Sequence, residues 1–176
     1  TVRAGNCFGG GDWTKDRIVK DSLQSFYKNK KLILRKPEAT RPWQHVIEPI
    51  FGYILLAQKL SSKKGKKFAR AWNFGPSTRQ NMKVIELVKL IRKELNSKSK
   101  IIINRNFKKI KNKIRIFESK DLNINSKKVF KALNWKPKMS IKNAVKITVE
   151  WYLAFTKKQS LLKVTKNQIL NYLNKV

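Results

Sequence analysis

With 176 residues, 41% of them hydrophobic, the chain has enough apolar content for one domain with its own core and too little length for a second. Its 42 Lys and Arg against 10 Asp and Glu give a formal net charge of +32, which taken alone points to nucleic acid or an anionic membrane. The lysines, however, occur in every segment, as in Ser62-Lys63-Lys64-Gly65-Lys66-Lys67, and no helix-turn-helix, zinc-finger or RNA-recognition signature accompanies them. The charge therefore predicts nonspecific polyanion binding at low salt, with no specific nucleic-acid partner.

The lone cysteine, Cys7, excludes an internal disulfide and suits a reducing compartment. No apolar run is long enough to span a bilayer and the first residues are not a signal peptide, so a soluble, cytoplasmic protein without membrane association is expected.

Thr1 to Gly5 is extended and apolar, with no preceding turn or start methionine. It reads as the inside of a sheet, a strand ending at Asn6 that is too short to stand without neighbours and hence is cut from something longer. After the glycines, Asp12 or Thr14 can cap a helix from Lys15 to Lys30, with Ile18, Val19, Leu23, Phe26 and Tyr27 on one face and Arg17 in its first turn. Leu32 to Arg35 is a strand, and Glu38 to Arg41 a polar loop. Pro49 to Leu60 reads as a helix, apolar nearly all round and suited to packing on a sheet. Phe68 to Phe74 is a strand closed by Gly75-Pro76. Val84 to Leu95 has helical periodicity and precedes a strand at Lys100 to Asn104.

Arg105 to Lys113 carries no clear pattern, and Lys113 to Glu118 is a candidate strand. Asn125 or Ser126 caps a short helix through Val129, Phe130 and Leu133, and Ser140 opens another that buries Ile141, Ala144, Val145, Thr148, Trp151, Tyr152 and Phe155. Thr165 and Gln168 have capping-box spacing before a terminal helix. Strands alternating with helices make the class α/β.

Glycines, amides and arginines gather without periodicity only in Arg3 to Trp13 and Arg41 to Val46, which together read as one binding site. Gly9-Gly10-Gly11 frees a bend of every Cβ, so its backbone can approach a ligand. Pro42 restricts Arg41 to extended geometry and presents its guanidinium from stiff backbone, which favours a fixed bidentate contact. His45, the only histidine, invites a catalytic role but lies in a strand between Gln44 and Val46 and reads as structural. Cys7 reads as a small buried side chain and Glu48 as a helix-start residue. No His, Cys and carboxylate cluster has metal-site spacing.

Arg3-Ala4-Gly5-Asn6-Cys7-Phe8-Gly9-Gly10-Gly11-Asp12-Trp13, Asp16-Arg17-Ile18-Val19, Arg41-Pro42-Trp43-Gln44-His45-Val46, Ala71 to Pro76, Leu133 to Pro137, Glu150-Trp151-Tyr152 and Thr165 to Ile169 resemble, in order and spacing, the second half of the CDP-glucose 4,6-dehydratases. These are nucleotide-sugar enzymes of the extended short-chain dehydrogenase/reductase superfamily. The resemblance implies the C-terminal part of such an enzyme: the last Rossmann strands and helices, with 1–6 and about 44–75 completing the Rossmann sheet, plus the smaller substrate-binding domain. It implies CDP-glucose as substrate, converted with bound NAD as a transient hydride store to a 4-keto-6-deoxy sugar and water.

By the same resemblance Arg41 faces the diphosphate and Asn6 is the substrate-contacting amide. Trp13 and Arg17 line the same pocket, and Asn73 either contacts the ligand or positions the Gly75-Pro76 loop. The cofactor turn and the Tyr/Lys proton acceptor of the family are not identifiable here, so NAD is expected to be held mainly by an absent N-terminal half or a complementary chain, the complete protein being a homo-oligomer and this chain alone inactive. Tyr27 and Lys31 have the Tyr-x-x-x-Lys spacing but follow the Arg-Ala-Gly-Asn strand, which the family's pair precedes.

Lys20 and Phe117 stand where relatives have Pro and His, and Phe117 puts in doubt any contact made by that His. Two alternatives stand beside this reading: another nucleotide-sugar epimerase or dehydratase of the superfamily, and a noncatalytic basic polyanion-binding module or gene remnant.

Overall fold

The computed structural model describes residues 1–76, 81–104 and 119–175. In chain order the elements are β1 (Val2–Ala4), β2 (Asn6–Phe8), α1 (Ile18–Tyr27), β3 (Leu32–Leu34), β4 (Thr40–Arg41), β5 (Trp43–His45) and α2 (Ile47–Leu60), then β6 (Trp72–Phe74), β7 (Met82–Lys83), α3 (Val84–Glu94), β8 (Ile101–Ile103), α4 (Lys127–Leu133), α5 (Ile141–Thr156) and α6 (Leu161–Leu173). Three strand pairs are parallel, β1 with β6, β2 with β5 and β3 with β8, while β4 and β7 run antiparallel. Parallel pairs need crossovers, and helices supply them.

The single strand expected up to Asn6 is two strands. Gly5 donates its backbone N–H to Phe74 O at 3.0 Å, and Asn6 donates to Pro42 O at 2.9 Å, so the chain passes from the edge of β6 to the edge of β5 between these residues. A Cβ on Gly5 would lie 2.6 Å from Pro42 O, and only glycine lets the two backbones come this close.

Helix α1 begins later than the Lys15 start that the capping residues suggested. Asp16 has φ of 59°, which interrupts any helix before it. Arg17 occupies the N-cap position in extended conformation without a side-chain cap bond, and Asp12 accepts the Thr14 N–H in a local turn instead. The buried residues Val19, Leu23 and Phe26 share the larger core with Leu87, Val88 and Ile91 of α3, Val145, Val149 and Tyr152 of α5, and Phe8, Leu32, Leu34 and Trp43. Tyr27, expected on this face, is exposed.

Helix α2 starts at Ile47, so Pro49 is its third residue, still in the first turn where a missing N–H costs nothing. It is not buried all round: Ile50 and Ile54 are exposed. The strand expected from Phe68 is confined to Trp72–Phe74, because Gly65–Phe68 forms a 3₁₀ turn and the Trp72 indole N–H donates back to Phe68 O at 2.8 Å. Trp72, Phe74, Leu56, Val129, Leu133 and Trp135 make a second core beneath α2 and α4.

Helix α3 and strand β8 fall where periodicity put them. Asn125 accepts the Lys127 N–H at the start of α4, and Ser140 accepts that of Asn143 at the start of α5. Trp151 is only half-buried and Phe155 is exposed. Thr165 and Gln168 are not a capping box. Helix α6 already begins after Ser160, whose Oγ accepts from Lys163 N, and both residues lie inside it, making tertiary bonds to α5. The candidate strand at 113–118, the unpatterned 105–113 and Phe117 lie outside the described residues. Among the described residues no helix is long and apolar enough to cross a membrane.

Candidate functional site

The exchange of partners at Gly5, the end of β3 and the start of α1 enclose a cleft of about 590 Å³. Asn6, Arg17 and Arg41 all line it, although they come from three separate elements. The cleft lies beyond the carboxyl ends of β1 and β3, where open parallel sheets place ligands. Arg35 and Lys36 add positive charge to its wall, and Asp12, Asp16 and Asp21 add negative. The sequence marks Arg35 and Lys36 only as the end of a strand and gives them no place in the site. Their only signal there is two cations between a strand and Pro37, in a chain rich in cations.

Arg41 is the most deeply buried of these cations. It is 6% exposed, with its backbone in β4 and Pro42 directly after it, and its Nη1 donates to Thr40 O at 2.9 Å and Lys120 O at 3.1 Å. A guanidinium oriented in this way loses little entropy on taking a phosphate oxygen. Arg35 donates to Asp16 Oδ1 at 2.7 Å, an exposed pair that ties the loop before α1 to the end of β3.

Trp13 and Asn73 do not line the cleft. Trp13 lies on Phe155, with ring centroids 4.7 Å apart, and beside Trp151 and Tyr152. Asn73 sits opposite Arg3 in the β1–β6 register and donates its amide to Asn125 O at 3.3 Å. Tyr27 ends α1 and packs edge-on against Tyr152, whereas Lys31 follows the helix, so one helical face does not present the pair; neither residue lines the cleft.

His45 is buried in β5, its Nδ1 accepting the Ile47 N–H at 3.3 Å, and burial pushes its pKa down to about 4, so the ring is neutral at pH 7. Cys7 donates its thiol to Gly5 O at 3.3 Å, and burial pushes its pKa up, which leaves no thiolate character at neutral pH. Among the described residues no group of three or more His, Cys, Asp or Glu could hold a metal.

The glycine run packs against protein. A Cβ on Gly10 would fall 2.2 Å from the Trp151 ring, and one on Gly9 would fall 2.8 Å from Val46. Gly11 has φ of +82° and completes the bend. A dinucleotide cofactor needs open backbone N–H groups at a helix N-terminus under its pyrophosphate. The run does not fit that role, since the Trp151 ring covers Gly10 and α1 starts only at Ile18.

Away from the cleft, Glu48 is a structural centre. Glu48, 1% exposed, accepts from Lys138 N at 2.9 Å and Met139 N at 2.6 Å through Oε1, and from the Tyr172 hydroxyl at 2.7 Å through Oε2. It joins α2, the Trp135–Ser140 connection and α6. A helix-start carboxylate was legible in the sequence; these partners, 90 to 124 residues away, were not.

This architecture is found in nucleotide-sugar enzymes. It superposes on UDP-glucose 4-epimerase of Thermotoga maritima, solved with UDP-glucose, with a TM-score of 0.71 at 17% identity, covering 88% of this chain and 46% of that one. For dTDP-glucose 4,6-dehydratase of Bacillus anthracis, solved with NAD, the TM-score is 0.61 at 18% identity, covering 86% of this chain and 43% of that one. The chain thus has the α/β fold of the C-terminal part of an extended short-chain dehydrogenase/reductase, as its alternating elements and motifs implied.

In sequence the chain is similar to CDP-glucose 4,6-dehydratase of Salmonella typhimurium, 35% identical over 176 residues, 99% of this chain. The chain spans 46% of that relative, about half its length, and the resemblance read from the motifs is borne out as one to its C-terminal portion. No family model matches the chain.

Proposed function

We propose that the chain is the substrate-binding portion of a CDP-glucose 4,6-dehydratase, an NAD-dependent lyase that converts CDP-glucose to CDP-4-keto-6-deoxyglucose and water. The observation that carries this reading is the convergence of Asn6, Arg17 and Arg41 on one cleft in a chain 35% identical to such an enzyme. In this reading Arg41 takes the diphosphate, Arg17 shares its charge, and Asn6 supplies an amide to the ligand. Trp13 acts on the pocket only through the aromatic group on which it rests, and Asn73 positions the Gly75-Pro76 turn through its bond to Asn125 O.

The glycine run does not fit NAD, so the cofactor and the C4 proton acceptor are assigned to an N-terminal half. Residues 1–6 and about 44–75 join that half in one sheet, and the complete enzyme is a homo-oligomer. The described residues contribute binding and orientation, with no redox step of their own.

Calorimetric titration of the chain, and of the chain joined to the relative's N-terminal half, with CDP-glucose, CDP and UDP-glucose tests the proposal. CDP-glucose is expected to bind in preference to UDP-glucose, and Arg41→Ala to weaken it by about 2–3 kcal/mol through loss of a charged hydrogen-bonding partner. An unchanged affinity, KM and kcat in the Arg41→Ala completed enzyme would sink the assignment, and CDP-glucose dehydration by the isolated chain with NAD would overturn its inactivity.

A further inference from the structure

Three motifs that stand far apart in the chain meet in space beside the cleft. Gly9 to Trp13, Glu150 to Tyr152 and Thr165 to Ile169 surround the Trp151 indole. Gly10 lies against the ring so closely that a Cβ would be 2.2 Å from it. The indole N–H donates to Thr165 Oγ1 at 3.0 Å, fixing the ring's rotation from α6. Trp13, just beyond the glycines, packs against Trp151 and Phe155, whose rings are stacked 3° from parallel. Gln168 secures α6 to α5 one turn before Trp151, by donating to Ile147 O at 2.8 Å.

The loop held by this cluster is the one that shapes the cleft. Between Gly11 and α1 the chain has no helix or strand, and Asp12, Asp16 and Arg17 line the cavity from it. The Arg35–Asp16 pair that ties its far end to β3 is exposed, and exposed pairs hold weakly. At its near end Gly10 has no positive φ, so the indole and not the backbone conformation forbids a side chain there.

We propose that Trp151 and Thr165 are positioning residues for the cleft: α6 fixes the indole, the indole fixes Gly10, and Gly10 fixes the loop that presents Asp12, Asp16 and Arg17. The consequence for ligand binding rests on the nucleotide reading of the cleft, whereas the ordering of the loop does not. Two readouts keep the two apart.

Hydrogen exchange of the 9–17 amides is measured in the native chain, in Gly10→Ala, in Trp151→Ala and in the double variant, alongside titration with CDP. Each single variant is expected to speed exchange in 9–17 about tenfold and weaken CDP binding about tenfold, the size of one lost packing or hydrogen-bond contact. In the Trp151→Ala background Gly10→Ala is expected to add nothing, because the ring it strikes is gone.

Should Trp151→Ala fail to fold, Thr165→Val keeps both rings and frees only the indole's rotation; faster loop exchange is expected from it, and not from Ser160→Ala, which weakens the α6 cap without touching Trp151. Unchanged exchange in Gly10→Ala and Thr165→Val, or full additivity of Gly10→Ala and Trp151→Ala, would overturn the proposal. A native chain that ignores CDP while the exchange pattern holds would remove the nucleotide reading and support the positioning role.

Discussion

Replacing Glu48 separates what its carboxylate does as an acceptor from what it does as a charge. In Glu48→Ala three donors lose their partner: Lys138 N, Met139 N and the Tyr172 hydroxyl. The hydroxyl is buried and stands at the upper end of the cost of an unsatisfied group, while the two partly buried N–H groups, which water can reach through the vacated space, stand at the lower end. The sum is about 3–5 kcal/mol.

Glu48→Gln keeps the amide oxygen for both N–H groups and can donate from its nitrogen to the Tyr172 oxygen, so about 1 kcal/mol is expected. The two residues also differ with pH. Burial, ahead of the opposing hydrogen bonds, raises the Glu48 pKa above its usual 4.5. The folded state therefore holds this proton more tightly than the unfolded one, and stability is full below 4.5 and declines as pH rises through the folded value. Glutamine has no such decline, so the deficit of Glu48→Gln should shrink between pH 4 and pH 7. Urea unfolding followed by tryptophan fluorescence at the two pH values measures both effects. Equal stability of the Ala and Gln variants, or a Gln deficit that grows with pH, would refute the acceptor accounting.

His45 acts in the opposite direction. Its folded pKa of about 4 lies below the unfolded 6.5, so the unfolded chain takes up the proton first, and stability present above pH 6.5 is lost as pH falls towards 4. The loss approaches about 3 kcal/mol at about 1.4 kcal/mol per pH unit; unfolding of His45→Phe in the Glu48→Gln background should lack that acid decline. Gly5→Ala should cost about 3 kcal/mol in the same assay, since its Cβ meets the Pro42 carbonyl and the strands must separate to admit it; a loss below about 0.5 kcal/mol would mean that the β1–β2 exchange is not tight. Nonspecific binding of a mixed-sequence oligonucleotide, measured by fluorescence anisotropy, should weaken by on the order of a hundredfold or more from about 50 to about 200 mM salt, as counterion release requires. Binding that survives at the higher salt and depends on base sequence would favour a dedicated nucleic-acid module.

Local chemistry determined much of this protein. Periodicity located α3 and α5, apolar runs located β3 and β8, and Ser140 marked its helix start, because each signal depends on neighbours within a few residues. The Arg41-Pro42 dipeptide by itself announced an arginine presented from stiff backbone, since proline restrains the residue that precedes it.

Tertiary structure decided what depended on distant partners. Gly5 splits one apparent strand into two because β5 and β6 lie on different sides of it, and nothing near Gly5 in the chain reports either neighbour. Thr165 and Gln168 carry the spacing of a cap, yet they hold α6 to α5, since Ser160 had already started the helix. Gly10 has the composition of a ligand loop, and an indole 141 positions later occupies the space that its missing side chain leaves open. Spacing along the chain encodes hydrogen bonds within a turn. Which ring fills the gap beside a glycine is set only when the helices pack.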